Sequence, residues 1–116
     1  MKNLKNKVLL IGNLGGDPET KDINGDKMIS KFSLATSETY RKTSGEKVTD
    51  TQWHNLVAWG KTAEIADKFL KKGQRVAIEG KLINRSYEDK NGIKRYVTEI
   101  VVNELLMLNT KKELAN

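Results

Sequence analysis

The chain has 116 residues, enough for one domain with a real core and too few for two. Apolar residues make up 37% and there is one proline, which argues against a disordered chain, while the absence of cysteine excludes disulfides and thiolate metal sites. Lys and Arg number 21 against 15 Asp and Glu, and the resulting +6 suits a polyanionic partner, although ordinary solubility charge would account for it equally well.

In chain order, the N-terminus is basic at Lys2, Lys5 and Lys7, but the apolar run after it, residues 8–11, is too short for a secretory signal. No segment approaches the roughly 20 apolar residues of a membrane-spanning helix, so the expectation is a soluble, cytoplasmic protein without a membrane partner. Residues 7–14 read as a β-strand ended by Gly15-Gly16-Asp17-Pro18, and Asn24-Gly25 signals a hairpin. Residues 29–36 alternate, with Phe32 and Leu34 on one face and Ser33 and Ala35 on the other; Thr43-Ser44-Gly45-Glu46 is a turn. In the next strand, 51–59, Trp53 and Trp59 are six residues apart, and a side-chain period of two puts both rings on one face. The opposite face carries His54, Leu56 and Ala58, so either set could point inward, and the pattern leaves open whether the rings are core or display.

Residues 62–72 form the one convincing helix, with Ala63, Ile65, Ala66, Phe69 and Leu70 at 3.6-residue spacing, Lys71 and Lys72 in the last turn and Gly73 as the stop. Residues 75–83 alternate again, with Val76, Ile78 and Leu82 on one face. Asn91-Gly92 marks a hairpin, and a two-residue turn there sets Asp89 opposite Lys94, Glu88 opposite Arg95 and Tyr87 opposite Tyr96. The last strand covers 96–108. A domain of 1–108 is therefore expected, followed by a short flexible tail at 109–116.

Five strands with a helix between the third and fourth is the element order of an OB-fold, an all-β Greek-key barrel that binds oligonucleotides across its second and third strands. Tyr40, Trp53, Trp59 and Tyr87 then fall on the binding face, where planar rings can hold bases without reading their identity. This favours display over core packing for the tryptophans. Arg41, Lys42, Lys61, Lys71, Lys72, Arg75, Lys81, Arg85 and Lys94 could line a phosphate track; any one alone reads as solvated surface, and only as a group do they persuade.

Enzyme chemistry finds no support. Gly60-Lys61-Thr62 looks like half a phosphate-binding loop, but the position five before Gly60 is Asn55 rather than Gly. Gly12-Asn13-Leu14-Gly15-Gly16 is followed by no helix whose dipole could hold a phosphate. His54 is the sole histidine and reads as a hydrogen-bonded structural residue, and no carboxylate pair stands out for acid–base work. No cofactor and no metal are expected.

At a finer scale the residues are similar to those of bacterial single-stranded DNA-binding proteins. Asn6-Lys7-Val8-Leu9-Leu10-Ile11-Gly12-Asn13-Leu14-Gly15-Gly16-Asp17-Pro18-Glu19 resembles that family's opening strand and turn, and Phe32-Ser33-Leu34-Ala35-Thr36-Ser37-Glu38 its second strand. Thr51-Gln52-Trp53-His54, Trp59-Gly60-Lys61, Ala63-Glu64, Leu70-Lys71-Lys72-Gly73 and Ile78-Glu79-Gly80 resemble its third strand, helix and fourth strand; Arg95-Tyr96 and Thr98-Glu99-Ile100-Val101-Val102 resemble its fifth. The resemblance runs in order from about Lys5 to Leu108.

It implies an OB-fold homotetramer that binds and protects single-stranded DNA during replication, recombination and repair. Its base-stacking positions fall on Tyr40, Trp53, Trp59 and Tyr87, with phosphate contacts from Arg41, Lys61, Lys71, Lys72, Arg85 and Lys94. Two stacking positions that are often Trp in relatives are Tyr here, a change expected to weaken stacking without abolishing it. The family places His54 at a subunit interface. Relatives usually continue into a flexible linker and an acidic tip that recruits replication and repair proteins, whereas Lys111-Lys112-Glu113-Leu114-Ala115-Asn116 has neither, which reads as a short form without the recruiting tail. The competing readings are an OB-fold replication-restart module working mainly through protein contacts, and an RNA-binding OB domain.

Overall fold

The computed structural model describes residues 4–108 apart from 24 and 26, so the expected tail at 109–116 and the Asn24 half of the first hairpin signal lie outside the described residues. Six strands and one helix follow in the order β1 (Val8–Leu14), β2 (Glu19–Ile23), β3 (Lys27–Arg41), β4 (Lys47–Trp59), α1 (Gly60–Phe69), β5 (Arg75–Glu88) and β6 (Lys94–Leu108). The sheet order is β1-β5-β6-β4-β3-β2, and a further pairing of β1 with β3 at Asn13–Ala35 and Leu14–Leu34 joins the ends of five strands into a closed barrel. This is the expected OB-fold architecture. The sixth strand, β2, hangs on the outside of β3 as a hairpin partner, Glu19 opposite Lys31 through Ile23 opposite Lys27.

Alternation decides what fills the barrel. Ser30, Phe32 and Leu34 of β3 pair with Ala58, Leu56 and His54 of β4, and the first five of these six are buried. Val76 and Ile78 of β5 join them from the facing wall, with Ile100 and Val102 of β6. In β6 the inward set then changes phase. Glu79 pairs with Glu104 but Gly80 with Val102, so Asn103 is an extra residue without a partner, a β-bulge. Past it Leu105 and Met107 pack on the core while Glu104 and Leu106 face out.

The helix is two residues earlier at its start, and ends three earlier, than the 62–72 expected from spacing. Leu70 leaves it in an extended conformation to bury its side chain in the core, so Lys71 and Lys72 lie in the following loop and Lys68 is the basic residue of the last turn. Only Ala63 and Ala66 are buried within the helix, because two small residues suffice for a helix that plugs a narrow barrel end; Ile65 and Phe69 stay exposed. Leu82, expected inward with Val76 and Ile78, is also exposed. The inward side of β5 ends at Gly80, and at Leu82 the strand is instead hydrogen-bonded through its backbone to the Asn6 side chain.

Two long hairpins, β3–β4 and β5–β6, project past the barrel, and their loops are built alike. Gly45 N–H donates to Lys42 C=O, and Gly92 N–H to Asp89 C=O, each closing a tight turn followed by a glycine at positive φ, 90° and 78°. That third loop residue shifts the second hairpin by one from the two-residue turn expected. Glu88 is opposite Lys94, Tyr87 opposite Arg95 and Ser86 opposite Tyr96, so the expected Tyr87–Tyr96 pair does not form and the two rings lie on opposite faces of the arm. Asp89 holds the turn instead, accepting from the N–H groups of Asn91 and Ile93 through Oδ1 and from Arg95 Nε through Oδ2 at 2.9 Å.

Candidate nucleic-acid interface

With Leu56 and Ala58 committed to the core, Trp53 and Trp59 are driven to the outer side of β4, where they are 63% and 45% exposed. Six residues of extended chain separate them by about 20 Å. Trp59 ends β4 and caps α1, next to Gly60 and Lys61. Trp53 lies over the loop after β1, its ring against the backbone of Gly15 and the Ser33 hydroxyl. The glycine-rich turn that could not serve a dinucleotide thus seats an indole.

The outer side continues from β4 to β6 through the parallel pair Val57–Val101 and from β6 to β5 through Val97–Arg85 and Arg95–Tyr87. Tyr87, 49% exposed, therefore shares this side with both tryptophans, as do Lys31, Ser33, Asn55 and Arg85. Tyr40 does not. It pairs with Val48, and the unbroken β3–β4 register gives it the parity of Leu34 and Phe32, the side opposite Trp53. It is nevertheless 52% exposed, because at the far end of the arm there is no barrel for that side to face.

Of the basic residues singled out, Arg41, Lys42, Lys61, Lys71, Lys72, Arg75, Lys81, Arg85 and Lys94 are all at the surface. Lys71 and Lys72 are brought beside the Trp53 seat, since Asp17 Oδ1 accepts from the Lys72 N–H at 2.8 Å and Gly73 N–H donates to Leu14 C=O. Arg41 Nη1 donates to Gly45 C=O and is occupied with its own turn. Lys94 sits 5.8 Å from the Tyr96 ring centroid on the face of the arm away from Tyr87. Arg85 is bound to Glu99, Nε to Oε1 at 2.9 Å and Nη2 to Oε2 at 3.2 Å. The guanidinium holds the Glu99 carboxyl below its ordinary range against the opposing pull of burial, and Glu99 in turn raises Arg85.

His54 is half-buried on the inner parity of β4, with Nε2 hydrogen-bonded to Thr36 Oγ1 at 3.0 Å. Among the described residues no group of His, Asp or Glu is arranged to hold a metal, and no helix is long and apolar enough to cross a membrane. Sequence reasoning passed over Lys31, Asn55 and Glu99 as site residues. Asn55 was legible, since alternation within β4 puts it with the tryptophans; Lys31 was not, because only the pairing of β3 with β4 sets its side. Tyr96, the most exposed ring at 75%, was visible only as a pairing partner.

A second surface is apolar. Leu9 and Ile11 of β1, Ile65 of α1 and Leu106 of β6 are exposed around a groove of about 880 Å³ floored by Ala77 and Ile78.

Residues 5–108 match the model of the single-strand binding protein family. The chain is 49% identical over 107 residues to a single-stranded DNA-binding protein 1 of Chlorobaculum tepidum, covering 91% of this chain and 66% of that one. It is 45% identical over 108 residues to a single-stranded DNA-binding protein of Neisseria meningitidis, covering 93% and 62%. The chain thus spans just under two thirds of the length of these relatives. Among solved structures, a Plasmodium falciparum SSB in complex with ssDNA superposes with a TM-score of 0.82 at 35% identity, over 94% of this chain and 98% of that one. A deletion mutant of the Thermus aquaticus single-stranded DNA binding protein gives 0.78 at 27% identity, over 91% and 51%.

Proposed function

The chain belongs to the single-strand binding protein family, and from that premise we propose that it binds single-stranded DNA without reading its sequence and protects it during replication, recombination and repair. It acts as a binding protein in the cytoplasm, not as an enzyme. The observation that carries this reading is the placement of Trp53, Trp59 and Tyr87 on one outer side of the barrel, large rings held in water while small and aliphatic residues take the core. Exposed rings in a row offer successive bases a stacking surface that every base can use. Tyr40 serves a strand that passes around the tip of the β3–β4 arm. Lys61, Lys71, Lys72, Arg41, Lys94 and Arg85 supply the phosphate contacts, giving a salt dependence of about −0.7 in log K per phosphate neutralised.

Subunits associate into a homotetramer, a reading supported by the apolar groove at Leu9, Ile11 and Leu106, whose exposure is otherwise a liability. His54, with Thr36, belongs to a further subunit contact. Quenching of tryptophan fluorescence by oligo-dT, in a salt series with duplex DNA as control, tests the function. Strong quenching by the single strand alone, weakening with salt, is expected; no quenching, or an equal response to duplex, removes the reading.

A further inference from the structure

Arg85 and Tyr87 are neighbours on the outer side of β5, yet the guanidinium is already engaged by Glu99 in a two-point contact. The partner is reached diagonally, since the register sets Arg85 opposite Val97. The two ends of the pair differ in access. The Arg85 side chain is 45% exposed, whereas Glu99 as a residue is 7% exposed and, with Ser30, is one of two buried polar or charged residues among the described residues. Glu99 lines a polar pocket of about 330 Å³ with Lys31, Ser33 and Asn55, all on the tryptophan side of the sheet. Lys31 is close enough to add to the attraction that keeps Glu99 ionised. A carboxylate presents two oxygens to the guanidinium fork in the same way as a phosphate does.

We propose that Glu99 is a built-in competitor for the nucleic-acid backbone: it occupies Arg85 in the free protein and yields it to a DNA phosphate in the complex, where Lys31 remains to face the carboxylate. The inference rests on the single-stranded DNA reading above and adds a control to it. Arg85 gives no counterion release until its internal partner is displaced, so the affinity of this face is held below what its cations could give. A buried anion on the same side of the sheet as the rings also keeps the free face from gathering other phosphates.

The test is a fluorescence titration of Glu99→Gln with oligo-dT across a salt series. Binding is expected to tighten about three- to tenfold, with the slope of log K against log salt little changed, because Arg85 meets the same phosphate in both complexes and only the cost of displacing Glu99 is removed. Asp67→Asn changes the net charge equally on the exposed side of α1, about 12 Å along the helix from Trp59, and is expected to leave the affinity near wild type. An unaltered or weaker affinity in Glu99→Gln overturns the proposal, as does an equal gain in Asp67→Asn; a steeper slope overturns it too, since Arg85 would then not reach the phosphate in the wild type. Should Glu99→Gln fail to fold, nitrogen-15 NMR of the wild type decides: the Arg85 Nε–H is expected to be protected from exchange in the free protein and to shift and lose that protection when oligo-dT is added. A signal that does not move while oligo-dT quenches the tryptophans overturns the gate alone; a wild type that binds no oligo-dT removes the proposed function and the gate with it.

Discussion

The Trp53 indole rests on Gly15 so closely that a β-carbon on that glycine would stand 2.5 Å from Cζ3, with the Ser33 hydroxyl 2.6 Å from the same point. No side chain other than hydrogen fits under the ring. Gly15→Ala is therefore expected to tilt the indole off its seat, shifting tryptophan emission and weakening oligo-dT binding several-fold, with little loss of melting temperature. Gly16→Ala, with open space around it, is the control; equal effects of the two substitutions would disprove the seat.

Trp53→Ala and Trp59→Ala each remove an exposed ring, and about 1–3 kcal/mol of binding should go with either, equally for any base composition. Their melting temperatures should stay close to wild type, in contrast to Leu56→Ala, which opens a cavity in a fully buried position and should cost about 2–5 kcal/mol of stability. Early melting of the tryptophan variants would return the rings to a structural role.

Acid should loosen the arm and the face together. Backbone N–H donation from Ile93 and the Arg95 guanidinium hold Asp89 below its usual range, and Arg85 does the same for Glu99. A carboxyl whose folded value is depressed contributes in full above its unfolded value, about 4, and the contribution is lost as pH falls through the folded value. Melting temperature should thus be level in these groups from neutrality to about pH 5 and decline below about pH 4. Asp89→Asn should be less stable at neutrality and converge on wild type in acid; parallel curves would rule out the carboxylate's part.

Gly92 closes the β5–β6 arm at a φ of 78°, a conformation in which a side chain is strained. Gly92→Ala should cost about 1 kcal/mol and speed amide exchange in residues 86–96 while the barrel amides keep their protection. Exchange that quickens uniformly would mean the arm and barrel open as one.

Charging the apolar groove should dissociate the assembly. The wild type is expected near four times 13.1 kDa by light scattering, and Ile11→Glu, on an exposed β1 position, is expected at a smaller multiple. An unchanged mass would place the contact elsewhere; a wild type at twice 13.1 kDa would favour the assembly-module reading.

Much of this was legible because period-two alternation is a strict rule within a strand. Trp53 and Trp59 had to share a side, and so did Phe32 with Leu34. Which side faced water was not written in β4 alone, since His54, Leu56 and Ala58 offered a second apolar set; the closure of β1 on β3 decided it. Tyr40 was legible as an exposed ring but not as one on the opposite face, because faces can be compared only once a register links Tyr40 to Val48. The Asn91-Gly92 signal located the turn correctly, but the loop takes residues 90–92, one more than a two-residue turn, and this separated Tyr87 from Tyr96. The Arg85–Glu99 pair lies 14 residues apart on a diagonal, beyond any local pattern.

The unpaired Asn103 gives β6 two reading frames. Residues before it follow one rule of inside and outside, residues after it the reverse, so a single strand sends Val102 and Leu105 to the same core while turning Leu106 toward the groove. The frame of pairing, rather than length, is therefore what this strand has to hold. Adding or removing residues at the tips of the two arms would only move a loop, and removing Asn103 would merely make the ladder regular, whereas keeping it and pairing every residue of β6 in turn would exchange Leu105 and Met107 for Glu104 and Leu106 against the core. A strand paired in that frame would have the same sequence and would lose the barrel wall and the apolar groove in the same step.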